Sequence, residues 1–276
     1  MFAEVALEPL VEAAVARAAA VLDEPAYLDA AARAAAFVDR ELALPGGKLQ
    51  RTWKDRVAKY AATLDDYADF AAAQLDLFES TGGRAHLERA LELARLLERD
   101  FHDPAAGGFF LTSSDHEALV DRPKTAYDGS TPAGNAVAAE VFLRLAHLTG
   151  DPSFRSIAEG TLRLFGAQLT AQPFGTATLL GVLDDLLGEP VEVAIVGPPN
   201  DATTRALVQT ASCAFVPRKR VIACPSTAEL GEALPEALRG KEAIAGRATA
   251  FVCRGATCSA PVHTPGELAA LLLAEA

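Results

Sequence analysis

The sequence predicts a mainly α-helical protein. A partial (α/α) toroid of helical hairpins over residues 1–188 is followed by a small α/β domain over residues 189–276 with a short, largely parallel sheet. Three observations support this fold class. A unit of two helices recurs with the same apolar pattern, the links between the units are long, and strand-like and helix-like segments alternate from Val191 onward.

The recurring unit is marked by three similar turns, each followed by an aromatic residue or a histidine. Aligning Tyr27, His86 and Phe154 gives spacings of 59 and 68 residues. Apolar side chains then recur at matched helical positions, namely Ala31, Ala90 and Ala158, Val38, Leu97 and Phe165, and Leu42, Phe101 and Leu169. Solenoid repeats are usually shorter, about 34 to 47 residues, so units of this length favour a ring over a solenoid.

Glycine and proline mark the ends of the helices, because glycine commonly ends one helix and proline begins the next. The pattern predicts helices at about 4–22, 25–43, 63–80, 84–101, 132–149 and 152–170, with a seventh near 176–187. The links 44–62 and 102–131 are longer than ordinary connections and contain glycine, aromatic and charged residues. Links of that kind in a compact helical domain predict a functional role.

The α/β domain is predicted from three apolar segments typical of buried strands, at 191–196, 220–224 and 248–253. Helices are expected from Ala202 and from Pro265. The turn after Gly197 could hold an anion at the following helix N-terminus. It lacks the spaced glycines of a dinucleotide loop and the lysine of a phosphate loop, so we favour a structural turn.

The chain is acidic, with 37 acidic and 25 basic residues and a net charge of −12. Without a basic stripe, nucleic acid and anionic membranes are not expected as partners. No apolar run approaches the roughly 18 to 20 residues of a membrane-spanning helix, and the N-terminus lacks the basic start of a secretion signal. We therefore expect a cytoplasmic protein whose four cysteines are reduced thiols.

Two loops carry the candidate site residues, and each directly precedes the first helix of a hairpin. In a ring both loops would lie at the same end and converge on one cavity. The expected catalytic acids are Asp65, Asp66 and Asp128, and the expected substrate contacts are Trp53, Tyr67, Lys124, Tyr127, Ser130 and Asn135. Carboxylates beside aromatic platforms suit carbohydrate chemistry, in which one acid protonates the leaving oxygen and another acts as base or nucleophile.

A purely structural interpretation stays open for the first loop. Thr63, with Asp66 three residues later, matches a capping box, and acids in a first turn offset the helix dipole. Thr131 followed by Pro132 is likewise a good helix start. The second loop contains more polar and glycine residues than a cap requires, so there we favour function.

The cysteines and histidines give weaker indications. Four residues separate Cys253 from Cys258, unlike the two of a common redox or zinc pair. The two remain a candidate redox pair, although two ordinary buried thiols are favoured. The five histidines show no ligand spacing, so neither a metal site nor a cofactor is predicted.

Taken in order, three motifs resemble the C-terminal half of the spermatogenesis-associated protein 20-like family of thioredoxin-domain-containing proteins. They are Leu64-Asp65-Asp66-Tyr67-Ala68, Tyr127-Asp128-Gly129-Ser130-Thr131-Pro132-Ala133-Gly134-Asn135, and Phe251-Val252-Cys253-Arg254 with Cys258 and Pro261-Val262. The resemblance implies a toroid of the six-hairpin glycosidase-like kind followed by a small α/β tail. It also implies that the family's N-terminal thioredoxin-like domain and the first part of its toroid are absent from this chain.

Two functions are consistent with these observations. The first is a carbohydrate-active or carbohydrate-binding toroid with hydrolase-like carboxylate chemistry. The related sugar epimerases rely on paired histidines, and none stands near the two loops. The second is a non-catalytic fragment or split-gene subunit, with a protein partner that supplies the missing hairpins or the thioredoxin-like domain.

Overall fold

Helical hairpins form the larger part of the molecule. The computed structural model describes residues 2–4, 7–117, 121–255 and 257–274. The helices of the first part are α1 (Leu7–Leu22), α2 (Pro25–Glu41), α3 (Leu64–Thr81), α4 (Arg84–Asp100), α5 (Gly134–Thr149), α6 (Pro152–Leu164), α7 (Gly166–Ala171) and α8 (Ala177–Leu187). Seven helices were expected here, and the predicted helix at 152–170 is divided at Phe165 into α6 and α7.

The hairpins are arranged as an inner and an outer row. Helix α3 packs against α1 on one side and α5 on the other, and α8 continues the inner row beside α5. Helices α2, α4 and α6 each cover the inner helix that precedes them. One hydrophobic core joins the rows and includes the buried rings of Phe70, Phe78 and Phe142. This two-row arrangement is a partial (α/α) toroid, which confirms the predicted fold class.

The first link, residues 44–62, forms a small antiparallel sheet with an N-terminal strand, and this sheet was not predicted. Its strands are β1 (Phe2–Glu4), β2 (Gln50–Lys54) and β3 (Val57–Ala61), with β2 in the middle. The turn between β2 and β3 places Asp55 and Arg56 at φ values of 52° and 63°. Two consecutive positive φ values are typical of a type I′ hairpin turn, which glycine or asparagine normally occupies. Because Asp55 and Arg56 stand at these positions, the sequence did not indicate a hairpin.

The α/β domain contains β4 (Val191–Val196), α9 (Ala202–Cys213), β5 (Lys219–Cys224), β6 (Thr249–Arg254), β7 (Thr257–Cys258) and α10 (Pro265–Leu273). The strand order is β5-β4-β6-β7. Only β4 and β5 pair in parallel, whereas β4–β6 and β6–β7 are antiparallel. The expectation of a largely parallel sheet was therefore wrong. Between β5 and β6 the chain forms two short 3₁₀ turns, Thr227–Ala233 and Glu236–Leu238, instead of the crossover helix that usually joins parallel strands.

Ion pairs connect the two parts of the chain, and the predicted domain boundary falls in the short link between α8 and β4. Arg218 and Arg220 approach Asp184 and Asp185 of α8 at 3.0 and 3.2 Å. Strand β5 also packs against α3. Across the described residues, no helix combines the length and the apolar character needed to cross a membrane.

A buried ion-pair cluster connects the first three inner helices. Asp76 of α3 accepts hydrogen bonds from Arg17 of α1 at 2.9 and 3.0 Å and from Arg144 of α5 at 2.6 Å. Glu79 and Glu140 lie 3.0 and 3.6 Å from the Arg144 guanidinium. The side chain of Arg144 is only 5% exposed. Opposite charges held in this way are far more costly to separate than a surface pair.

We predict that Arg144→Met lowers the free energy of unfolding by about 3 kcal/mol, because it leaves buried carboxylates short of their main cation. Urea denaturation followed by circular dichroism measures the change. The matched control is Arg163→Met, which removes an exposed pair with Glu159 and should cost less than about 1 kcal/mol. Equal losses for the two variants would contradict a structural role for the cluster.

Candidate functional site

The start of α3 is fixed by the predicted capping box. The Thr63 N–H donates to Asp66 Oδ2 at 2.6 Å, and the Thr63 hydroxyl donates to the same oxygen at 2.9 Å. Asp66 is fully buried, and none of the described residues hydrogen-bonds to its Oδ1. Burial raises the pKa of Asp66, whereas its bonds to Thr63 oppose that rise. Asp66 therefore forms the capping box that the sequence predicts.

Asp65 joins the first turns of α3 and α5. The half-buried Asp65 carboxylate accepts the backbone N–H of Gly134. A Cβ atom at Gly134 would lie 2.2 Å from Asp65 Oδ1, so only glycine leaves room for this carboxylate. Burial raises the pKa of Asp65, and the Gly134 N–H and the positive charge of Arg51 partly offset that effect. The two predicted loops therefore meet at the N-terminal ends of neighbouring inner helices.

Asp69 is the site residue that the sequence analysis missed. The residue is 3% exposed, and its Oδ1 has no hydrogen-bond partner in the part of the chain that the structure describes. Burial raises the pKa of Asp69 to about 8, and the negative charges of Asp65, Asp66 and Glu140 add to that rise. The carboxyl is therefore mostly protonated at neutral pH. The available signal was its spacing of four residues from Asp65, which places both on one helix face.

This acidic face of α3 is directed toward the other inner helices. Asp65, Asp69 and Asp76 are spaced by four and seven residues, so they lie on one stripe of the helix. Asp76 at one end of the stripe contacts Arg17 of α1 and Arg144 of α5. Asp69 near the other end is influenced by Glu140 of α5. The stripe therefore runs along the inner side of the toroid, and the charges that act on Asp69 near its N-terminal end are negative.

In the second predicted loop, Asp128 holds backbone groups together. Its Oδ1 accepts the N–H of Ala133 at 3.0 Å, and its Oδ2 accepts the N–H of Thr178 at 2.9 Å. The Asp128 N–H donates to the carbonyl oxygen of Gly175 at 2.8 Å. These bonds tie the loop to the starts of α5 and α8. Both carboxylate oxygens are thus engaged in structural bonds.

Asn135 and Lys124 also use their polar atoms within the fold. Asn135 is buried; its Oδ1 accepts the Phe109 N–H at 2.7 Å, and its Nδ2 donates to the carbonyls of Phe109 and Thr125 at 2.9 and 3.0 Å. The Lys124 ammonium donates to Asp103 at 2.6 Å and to the carbonyl of Gly107 at 2.8 Å. In this structure neither side chain is available to a substrate.

The aromatic residues proposed as sugar platforms differ in exposure. Tyr67 is buried, and its hydroxyl accepts the Leu49 N–H at 2.8 Å. Trp53 is half-buried and packs edge-on against Phe37, with ring centroids 5.3 Å apart. Tyr127 is 56% exposed, and Ser130 is also exposed. Of the residues predicted as contacts, Tyr127 and Ser130 are the ones a ligand could reach directly.

Cys253 and Cys258 are joined by a disulfide bond across the β6–β7 pair, where they lie directly opposite each other. The expectation that all four cysteines are reduced thiols was therefore wrong for this pair. Strand pairing, which sequence spacing does not show, brings the two sulfur atoms together. Cys213 and Cys224 are not disulfide-bonded. Among the described residues, no group of three or more histidine, cysteine or acidic side chains is placed to hold a metal ion.

Comparison with solved structures gives two partial similarities. Cellobiose 2-epimerase from Spirochaeta thermophila matches with a TM-score of 0.49 and 20% identity, covering 62% of this chain and 44% of that one. An inactive variant of an α-1,6-mannanase from Salegentibacter, in complex with α-1,6-mannotriose, matches with a TM-score of 0.48 and 16% identity. That match covers 58% of this chain and 46% of the mannanase.

Sequence comparison gives a clearer relationship, although no family model matches the chain. Spermatogenesis-associated protein 20 is 31% identical over 214 residues in Homo sapiens and 30% identical over 212 residues in Mus musculus. Each alignment covers 76% of this chain and 27% of the relative, so the chain spans about a quarter of the length of these relatives. Over three quarters of its length the chain is thus homologous to part of spermatogenesis-associated protein 20, which confirms the family resemblance of its motifs.

Proposed function

We propose that the toroid is a carbohydrate-active unit whose reacting groups are Asp65 and Asp69. One observation carries this proposal: the buried Asp69 carboxyl has a pKa of about 8 and lies one helical turn from the half-buried Asp65. Two carboxyl groups whose environments differ in this way are suited to opposite roles in acid–base catalysis. We propose further that the protein takes part in carbohydrate metabolism in the cytoplasm.

In glycoside hydrolysis by this pair, protonated Asp69 would act as general acid. Because Asp69 is 3% exposed, the inner face of α3 would have to open before a sugar could reach it. Its proton would pass to the glycosidic oxygen as the bond from that oxygen to the anomeric carbon breaks. A water molecule would form the new bond to the anomeric carbon, and ionised Asp65 would accept its proton. Burial raises the pKa of Asp65, and the Gly134 N–H and Arg51 oppose that rise and so favour the ionised form that a base requires.

The other predicted residues take supporting roles in this proposal. Asp66 holds the first turn of α3, and Asp128 positions the second loop, so both keep the reacting face in place. Tyr127 and Ser130 are exposed on that loop and would contact a sugar ring or its hydroxyls. The proposed catalytic residues are thus Asp65 and Asp69, in place of the predicted Asp65, Asp66 and Asp128.

We predict that the chain releases reducing sugar from at least one member of a panel of α- and β-linked oligosaccharides. Asp69→Asn and Asp65→Asn should each lower that rate about 100-fold or more, because each removes a proton donor or acceptor. The matched control is Asp121→Asn, an exposed acid on the second link, which should leave the rate unchanged. A panel that shows neither turnover nor binding would reject the proposal.

A second prediction concerns stability as a function of pH. Because the pKa of Asp69 is raised to about 8 in the folded chain, the folded state holds a proton that the unfolded chain loses near pH 4. Its contribution to stability is fully present below that lower value and is lost as pH rises through about 8. Asp69→Asn should therefore gain stability relative to the unsubstituted chain between pH 4 and pH 8.

Urea denaturation at several pH values measures this difference. Asp121→Asn again serves as the control, because it makes the same substitution at an exposed position. A constant difference for Asp69→Asn would show that Asp69 titrates normally. That result would remove the observation on which the hydrolase proposal rests.

Completion of a larger assembly is a second candidate function. In the described part of the chain, α8 runs directly into β4 and lacks the following outer helix that covers each of α1, α3 and α5. A groove between α6, α7 and α8 is lined by Leu162, Leu169, Leu180, Leu183 and Leu186. Phe174, in the short turn between α7 and α8, is 97% exposed. An amphipathic helix of a protein partner would cover this surface.

This candidate function predicts that the isolated chain self-associates or binds a hydrophobic dye such as 8-anilinonaphthalene-1-sulfonate. Phe174→Ser together with Leu187→Ser should lower the dye signal, since both side chains are largely exposed and Leu187 lines the groove. Phe215→Ser, which removes an equally exposed ring just beyond α9, is the matched control. A monomer that unfolds cooperatively and binds no dye would contradict assembly as the function.

A further inference from the structure

A cavity of about 350 Å³ lies where the helical part meets the α/β domain, and we call it the junction pocket. Its walls come from the end of α1, the start of α2, the end of α3, the β4–α9 turn and the end of β5. It is separate from the acidic face of Asp65 and Asp69. None of the residues proposed above for carbohydrate chemistry lines it.

The junction pocket lies at the carboxyl ends of the two parallel strands. Val196 and Cys224 are register partners at the ends of β4 and β5, and the chain leaves the sheet there through Gly197 and Pro225. Loops that leave parallel strands diverge at this edge, and the resulting crevice is where open α/β sheets bind their ligands. Here the ends of α1 and α3 cover the crevice and turn it into a pocket.

Small side chains on α1 leave space for the pocket, and a close contact between α3 and β5 forms part of its wall. Helix α1 presents Ala16, Ala19 and Ala20 to the cavity, and Leu28 and Val208 complete an apolar lining. Gly82, at φ 66°, ends α3 against β5. A Cβ atom there would lie 2.3 Å from the Cβ of Cys224, so α3 and the strand end meet without space for a side chain.

The electrostatics of the junction pocket favour a cation. Helices α1 and α3 both bring their C-terminal ends to its wall, and neither has a basic residue in its last turn. The C-terminal end of a helix carries partial negative charge. Asp23 and Asp29 add two carboxylates. Among the described residues that line the pocket, the one guanidinium is that of Arg205, which already pairs with Asp23 at 2.6 and 2.9 Å.

An anion would find no comparable partner in this pocket. The N-terminal ends of α2 and α9 are the positive helix ends at its described wall. At the start of α2, Pro25 has no N–H and the Tyr27 N–H already donates to the Glu24 carbonyl at 3.0 Å. At the start of α9, the side chain of Asp201 already accepts the Thr204 N–H at 2.9 Å. The balance of charge at the pocket is therefore negative, while its floor is apolar.

We propose that the junction pocket binds a small primary amine with an apolar body. The ammonium group would lie toward Asp29 and the C-terminal carbonyls of α1 and α3. The apolar body would pack against Ala16, Leu28 and Val208. This is a binding site additional to the carbohydrate function, and it does not depend on that function.

The test uses n-butylamine, 1-butanol and butyrate as probes, because the three share a similar apolar body and differ in charge. Titration into the ¹⁵N-labelled full chain at pH 7, where the amine is protonated, is followed by amide chemical shifts. We expect saturable changes at Thr81, Gly197 and Asn200 with n-butylamine. Its affinity should exceed that of 1-butanol by about tenfold, and butyrate should give no saturable change.

Two variants locate the binding. Asp29→Asn removes a carboxylate at an exposed position and should weaken n-butylamine about fivefold while leaving 1-butanol unchanged. Ala20→Leu should fill the pocket and weaken both probes. Asp55→Asn, an exposed acid in the β2–β3 turn, is the matched control and should have no effect.

Three results would overturn the proposal. The first is the absence of saturable binding by n-butylamine, and the second is butyrate binding as tightly as the amine. The third is n-butylamine affinity that changes with neither Asp29→Asn nor Ala20→Leu. Because none of these readouts involves sugar, they are independent of the outcome of the oligosaccharide panel.

Discussion

The carboxylate of Asp76 accepts hydrogen bonds from Arg17 and Arg144, and through them it connects three successive inner helices. A buried charge without its partner costs several kcal/mol, so α3 and α5 must adopt the register that brings Asp76 and Arg144 together. The more exposed Arg17 adds α1 to the same contact. The outer helices then cover a row whose spacing is already set. The interior of the toroid is polar at this point, because Arg144 also pairs with Glu79 and Glu140.

Asp69 lies on the same face of α3 but in the opposite electrostatic situation. Asp76 has two arginines at hydrogen-bond distance, whereas Asp69 is surrounded by the negative charges of Asp65, Asp66 and Glu140. One carboxyl is compensated by cations, and the other retains its proton. Buried polar groups without partners are rare in native proteins and call for an explanation. The contrast between the two ends of one helix is the strongest reason to look for chemistry at the N-terminal end.

The motif that most resembles a functional site in the sequence largely maintains the architecture. Asn135 and Lys124 direct polar atoms to backbone groups of the second link, and Asp128 accepts N–H groups at the starts of α5 and α8. A link of this length with little regular secondary structure leaves many N–H and carbonyl groups to be satisfied, and side chains must supply the partners. Density of polar residues in the motif therefore reflects this need for hydrogen bonds. The candidate reacting groups lie on the helix that the loops hold in place.

The sequence by itself determined the helical hairpins, the capping box at Thr63 and Asp66, and the change to an α/β domain near Val191. These features depend on the spacing of apolar residues and on local hydrogen bonds, so neighbouring residues suffice to define them. The tertiary structure alone decided the direction of β6, the β1–β3 sheet, the disulfide between Cys253 and Cys258, and the buried state of Asp69. Strand pairing and desolvation depend on contacts between residues that are far apart in the chain. The spacing of residues in the sequence does not show which of them come into contact.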